Sequence, residues 1–176
     1  MSFIAALDAY VIHPTGFQLI LLLGMVIALT ASCVIDLQEK ILPDIFTLIT
    51  AILGLVLAFT QPFYIEGVGD ALIGGAVGLI GSYAFRAGVF AIKKVEPMGL
   101  GDVKLFGAIG LWVGVQGVVS VALLGSLLTL LAMGIYHLIT RKGSINAEVP
   151  FGPGIALGFL LTLLFGPIDR YLNPLL

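Results

Sequence analysis

Long apolar runs separated by short polar breaks dominate the pattern of this chain. They fall near residues 17–35, 45–60, 71–92, 103–116, 118–139 and 151–168, with Arg86 inside the third and Lys104 at the start of the fourth. A helix needs about 20 apolar residues to cross the hydrocarbon core of a bilayer. The uncharged stretch from Leu105 to Thr140 is too long for one crossing, and Gly114, Gln116 and Gly117 supply a natural break. The pattern predicts an all-α membrane protein, a polytopic bundle of about six transmembrane helices. Small residues spaced by four, Gly74/Gly78, Gly110/Gly114 and Gly154/Gly158, predict close helix crossings.

The polar breaks set an orientation. Lys40 follows the first run, Lys93 and Lys94 follow the third with Lys104 just beyond, and Arg141 and Lys142 follow the fifth. The break after the second run carries Glu66 and Asp70 and no base, and Arg170 lies on the C-terminal side. Short loops rich in Lys and Arg stay cytoplasmic, so both termini are expected outside the cytoplasm. The first 16 residues contain no Lys or Arg, unlike the n-region of a cleaved signal, so the first apolar run is expected to be retained.

Composition sharpens this picture. Apolar residues make up 60% of 176 and charged residues 10%, where a soluble domain carries about 25% charged. A soluble enzyme and a disordered tail are excluded. With a net charge of −2 and no basic stripe, nucleic acid is not an expected partner. Cys33 is the single cysteine, which excludes an intrachain disulfide and a tetracysteine zinc site and suggests a buried packing role. His13 and His137 have no partners at metal-ligand spacing, so no metal and no cofactor are expected.

Ionisable groups in or beside a membrane span are costly and point to function. Asp36, Glu39, Asp44, Glu96 and Asp102 all map to the cytoplasmic side. Asp44 follows Pro43 and precedes an apolar run, the position of a helix N-cap. Arg86 lies about six residues, roughly 9 Å, from the cytoplasmic end of its run, within reach of the head groups by snorkelling. Asp102 stands in EPMGLGDVKLF, and a span of about 20 residues ending at Gln116 would start near residue 97, placing this carboxylate inside the membrane boundary. A charge at that depth needs a partner, a hydrogen-bond shell or water. Gly99 and Gly101 free the backbone beside it, for positive φ or for close approach of an extended peptide. That reading predicts that Gly101→Val impairs function while leaving the fold intact. Two carboxylates at one depth suggest acid/base work, because a pair sharing a site holds one proton between them.

At this point CVIDLQEKILPDIFTL, EPMGLGDVKLFGAIGLWVG and VPFGPGIALG, about a quarter of the chain, resemble in order three segments of the bacterial type IV prepilin peptidases. These are membrane aspartic proteases of the GxGD type. The resemblance implies one membrane peptidase domain over residues 1–176, with Asp36 and Asp102 as catalytic aspartates and Gly99, Gly101, Asp44 and Lys104 as supporting residues. It further implies a bacterial inner-membrane enzyme that cleaves the short basic leader of prepilins or pseudopilins, usually after glycine, at the cytoplasmic face. Its partners would be those leader peptides and the lipid bilayer. Longer members carry paired zinc-binding cysteines associated with N-methylation of the new terminus. With one cysteine, this chain is expected to be a short, peptidase-only member. A presenilin-like protease fits less well, since neither its Tyr-Asp nor its Pro-Ala-Leu motif is present. The rival reading is a non-catalytic carrier or channel whose polar path is lined by Asp36, Asp102 and Arg86.

Overall fold

Every backbone polar group in lipid must be satisfied within the chain, and a helix does this locally. In the computed structural model, which describes residues 15–39, 41–60, 65, 67–140 and 151–168, the apolar runs accordingly form helices. They are α1 (Gly16–Glu39), α2 (Asp44–Ala58), α3 (Val68–Lys93), α4 (Leu100–Thr140) and α5 (Gly152–Phe165). Three of these helices are long and apolar enough to cross a membrane: α1, α3 and, over Leu100–Tyr136, α4. With 15 and 14 residues, α2 and α5 are about 21–23 Å long, shorter than a full hydrocarbon core. Lys40, Glu66, Arg141, Lys142, Arg170 and His13 lie outside the described residues.

Five helices are described where about six spans were expected. The fourth and fifth apolar runs are two helical arms within Leu100–Thr140 that meet without a loop at Gly114, where φ is 65° and ψ is −170°. Only glycine adopts that backbone at little cost. Asp70 faces the break, and its Oδ1 accepts a hydrogen bond from the Val115 N–H at 3.4 Å, supplying the second arm with a partner for an exposed donor. The chain doubles back here. The first arm leads from Asp102 to the Asp70 side, and the second returns to place Gly125 and Thr129 against Gly154 of α5.

All three spaced glycine pairs lie at close crossings. A Cβ on Gly78 would meet the carbonyl of Phe106, and one on Gly110 would meet the carbonyl of Gly74. In α5, a Cβ on Gly158 would lie 2.6 Å from the backbone nitrogen of Gly125. Such backbone-to-backbone approach, not apolar burial, drives helix association in lipid. The centre of the bundle is filled by fully buried Met25, Leu57, Ile109, Trp112, Ile155 and Phe159. Trp112 and Phe159 meet edge to face at 6.2 Å and 75°, and Trp112 Nε1–H donates to the Thr50 carbonyl at 2.8 Å. Large apolar side chains such as Ile20, Leu23 and Ile27 cover the outside, as a lipid-facing surface requires. Cys33 is half-buried, less enclosed than its apolar surroundings suggested. This is a membrane protein.

Candidate active site

Asp36 and Asp102 sit at one end of the bundle and line one cavity of about 490 Å³. Both are buried, with 5% and 7% of their surface exposed. Separated by 66 positions in sequence, they border the same cavity from the C-terminal end of α1 and the N-terminal end of α4. The α1–α2 connection (Ile41, Leu42), the loop from Glu96 to Gly99 and Phe151 complete the walls.

Each carboxylate is held by a backbone N–H at the start of a helix. Gly99 N–H donates to Asp102 Oδ2 at 3.2 Å, so Asp102 reaches back to the residue preceding α4 as the acid of a capping box does. Gly152 N–H, the first of α5, donates to Asp36 Oδ2 at 3.1 Å. Helix N-termini suit this task, because their first N–H groups have no partner within the helix. Asp102 Oδ1 is buried and has no hydrogen-bond partner. One oxygen of this carboxylate is therefore fixed while the other is a buried acceptor left unpaired.

The supporting residues differ in their roles. Asp44 is not the N-cap expected from its position: Pro43, with φ −66° and ψ 129°, occupies the cap, and Asp44 is the first helical residue without a capping hydrogen bond. Its carboxylate turns instead to Lys104, whose Nζ donates to Oδ1 at 2.7 Å and to Oδ2 at 2.8 Å. This pair is exposed at the rim, with Asp44 at 72% and Lys104 at 49%. Gly99 has room beside it: a Cβ there would lie 3.6 Å from Asp102 Oδ2. Gly101 has none, because a Cβ would lie 2.7 Å from Leu42 Cβ. Neither residue has positive φ. Gly101 lines the cavity, and its contact with buried Leu42 favours a packing role beside the peptide-facing one expected for it. Gly101→Val is expected to lower stability by about 1–3 kcal/mol, as overpacking does, and to lower activity with it, whereas Gly99→Ala retains most of both. Thermal unfolding and turnover measured in one detergent check this. A stable but inactive Gly101→Val variant would favour the peptide-facing role.

Two residues bonded to the site or to its loop had no such role assigned from sequence. Gly152 belongs to VPFGPG, whose resemblance signalled importance without saying to what. Arg86 carried only the general signal of an intramembrane charge. It pairs through Nη2 with Glu96 Oε2 at 2.8 Å and donates from Nε to the Met98 carbonyl at 3.1 Å. Arg86 does not line the cavity shared by Asp36 and Asp102, as the carrier reading required. Among the described residues no group of three or more His, Cys, Asp or Glu is placed to hold a metal ion.

A buried carboxylate pair with an open acceptor can activate water and polarise a carbonyl. Comparison with known proteins bears on which reaction this is. Residues 21–135, including both aspartates, match the type IV leader peptidase family. The chain is 39% identical over 137 residues to a type 4 prepilin-like proteins leader peptide-processing enzyme of Escherichia coli, covering 77% of this chain and 48% of that one. It is 35% identical to a prepilin leader peptidase/N-methyltransferase of Aeromonas hydrophila, covering 84% and 49%. The corresponding enzyme of Pseudomonas aeruginosa is 32% identical, covering 92% and 56%. The chain thus spans about half the length of these curated relatives. No solved structure matches it. On the match across residues 21–135 and these identities over most of its length, the chain belongs to the type IV leader peptidase family.

Proposed function

We propose that residues 1–176 act as one membrane aspartic peptidase domain that removes the short basic leader of prepilins or pseudopilins at the cytoplasmic face of the bacterial inner membrane. The observation that carries this reading is the pair Asp36 and Asp102 in one cavity, each with one oxygen held by a helix-start N–H and Asp102 Oδ1 left open. Asp102 Oδ1 takes a proton from water as the hydroxyl attacks the scissile carbonyl carbon. Asp36, holding the one proton of the pair, donates a hydrogen bond to the carbonyl oxygen. Breakdown of the tetrahedral adduct breaks the C–N bond, and the proton taken from water passes to the leaving amine.

Charge supports the substrate. Among the described residues, Asp36, Asp44, Glu96 and Asp102 line the cavity with Lys104 as the one base, an excess of negative charge that suits a basic leader. Lys93, Lys94 and Lys104 lie at the same end of the bundle as the cavity, which favours the cytoplasmic side for it and an outward position for both termini. The proposal for residues 1–176 concerns cleavage alone.

The test is incubation of the protein, in liposomes, with a prepilin carrying its leader. Mass spectrometry is expected to find a single cut after a glycine at the leader boundary. Correctly inserted protein that leaves intact a substrate processed by a relative would overturn the proposal.

A further inference from the structure

The Met98–Gly99 peptide joins two contacts that otherwise look unrelated. Its carbonyl accepts from Arg86 Nε at 3.1 Å, and its N–H donates to Asp102 Oδ2 at 3.2 Å. A peptide unit is planar, so fixing its oxygen fixes the direction of its N–H. Hydrogen bonds through one polar unit also polarise each other, so the bond at the carbonyl strengthens the donor at the nitrogen. Arg86 adds a second hold on the same loop through its pair with Glu96 Oε2 at 2.8 Å. Its side chain is only 18% exposed, against 62% for Glu96, so the arginine is the fixed member of this pair. It stands on α3, whose crossing with α4 is locked by the glycine contacts at Gly74, Gly78 and Gly110.

We propose that Arg86 is a positioning residue for Asp102, acting through the Met98–Gly99 peptide to orient the carboxylate toward its partner Asp36. This rests on the peptidase reading given above. Arginine suits the task because its planar fork serves two acceptors in fixed directions, which a lysine ammonium does not reproduce. The proposal separates sharply from anchoring to lipid head groups, a role lysine performs as well as arginine.

The deciding variants are Arg86→Lys and Arg86→Met in the full chain, reconstituted in liposomes. Cleavage of a leader peptide is expected to lose about 10- to 100-fold in kcat, the scale of a misplaced catalytic group, with KM little changed and a displaced limb in the pH profile of kcat. Glu96→Gln, which spares the bond to Met98, is expected to lose less than Arg86→Lys. Amide hydrogen exchange over residues 96–101 gives a reading independent of activity, and both Arg86 variants are expected to speed it while leaving α2 unchanged. Arg86→Lys with wild-type kcat, pH profile and exchange would overturn the proposal. So would a loss of turnover matched by an equal loss of folded protein and by faster exchange throughout the bundle. If the wild-type protein fails to cleave leaders, the peptidase reading falls while exchange at 96–101 still decides whether Arg86 holds the loop.

Discussion

Asp36→Asn and Asp102→Asn are each expected to remove nearly all leader cleavage while leaving the protein inserted and folded. Asparagine keeps the size of the side chain and retains one carbonyl oxygen. That oxygen accepts the N–H of Gly152 at position 36 or of Gly99 at position 102, so the helix-start bonds that orient each group survive. The chemistry does not survive. In Asp102→Asn, with the amide oxygen turned to Gly99, an NH₂ donor stands where Asp102 Oδ1 is a buried, open acceptor. General acid–base catalysis contributes about 10²- to 10⁴-fold, and each single variant is expected to lose at least that much. The two losses are not expected to add, because one carboxylate of the pair does not complete the reaction without the other. Rates of the single and double variants, beside thermal unfolding in the same detergent, check both points. Turnover near wild type in either folded single variant would remove that aspartate from the mechanism. Asp44→Asn is the contrast: its carboxylate is exposed at the rim and bound to Lys104, so its loss is expected to be modest.

What the sequence revealed and what it hid follow from how far each signal reaches along the chain. Apolar runs fix helices locally, and a glycine inside a stretch too long for one crossing points to a break, which the structure places at Gly114. That the break would be a reversal without a loop depended on Asp70, from another helix, receiving the Val115 N–H. The aspartates stood out because carboxylates at membrane depth need a reason, and the quoted motifs gave a shared one. Gly101 was ambiguous because glycine before a carboxylate suits both a substrate channel and a packing contact. The position of Leu42, brought in by the α1–α2 connection, adds the packing side of that choice. Arg86 was visible as a charge but not as a partner, since its acceptor is a backbone carbonyl that no side-chain pattern encodes. Gly152 and Asp36 are separated by 116 residues, and nothing local to either announces the other.

That last contact has a large expected consequence. Gly152→Ala is expected to lower leader cleavage by about 100-fold, the scale of catalytic groups misplaced by an ångström, with little loss of stability. A Cβ at position 152 would lie 2.6 Å from Asp36 Oδ2 and 3.2 Å from its Cγ. The obstructed atoms are the reacting end of a side chain, so the carboxylate is expected to swing aside and lose the Gly152 N–H while the helices stay in place. Retreat of α5 instead would disturb the contact of Phe151 with Phe106, whose rings are 6.4 Å apart, and the glycine crossing with α4 behind it. Gly158→Ala provides the comparison within the same helix. Its Cβ would meet backbone, with Gly125 nitrogen at 2.6 Å and the Val121 carbonyl at 3.0 Å, so it is expected to destabilise the bundle first. Cleavage rate and thermal unfolding of the two variants separate the cases. An active Gly152→Ala enzyme would mean that Asp36 does not need the α5 N-terminus. A Gly152→Ala protein as unstable as Gly158→Ala would make Gly152 a packing residue and leave the orientation of Asp36 to other contacts.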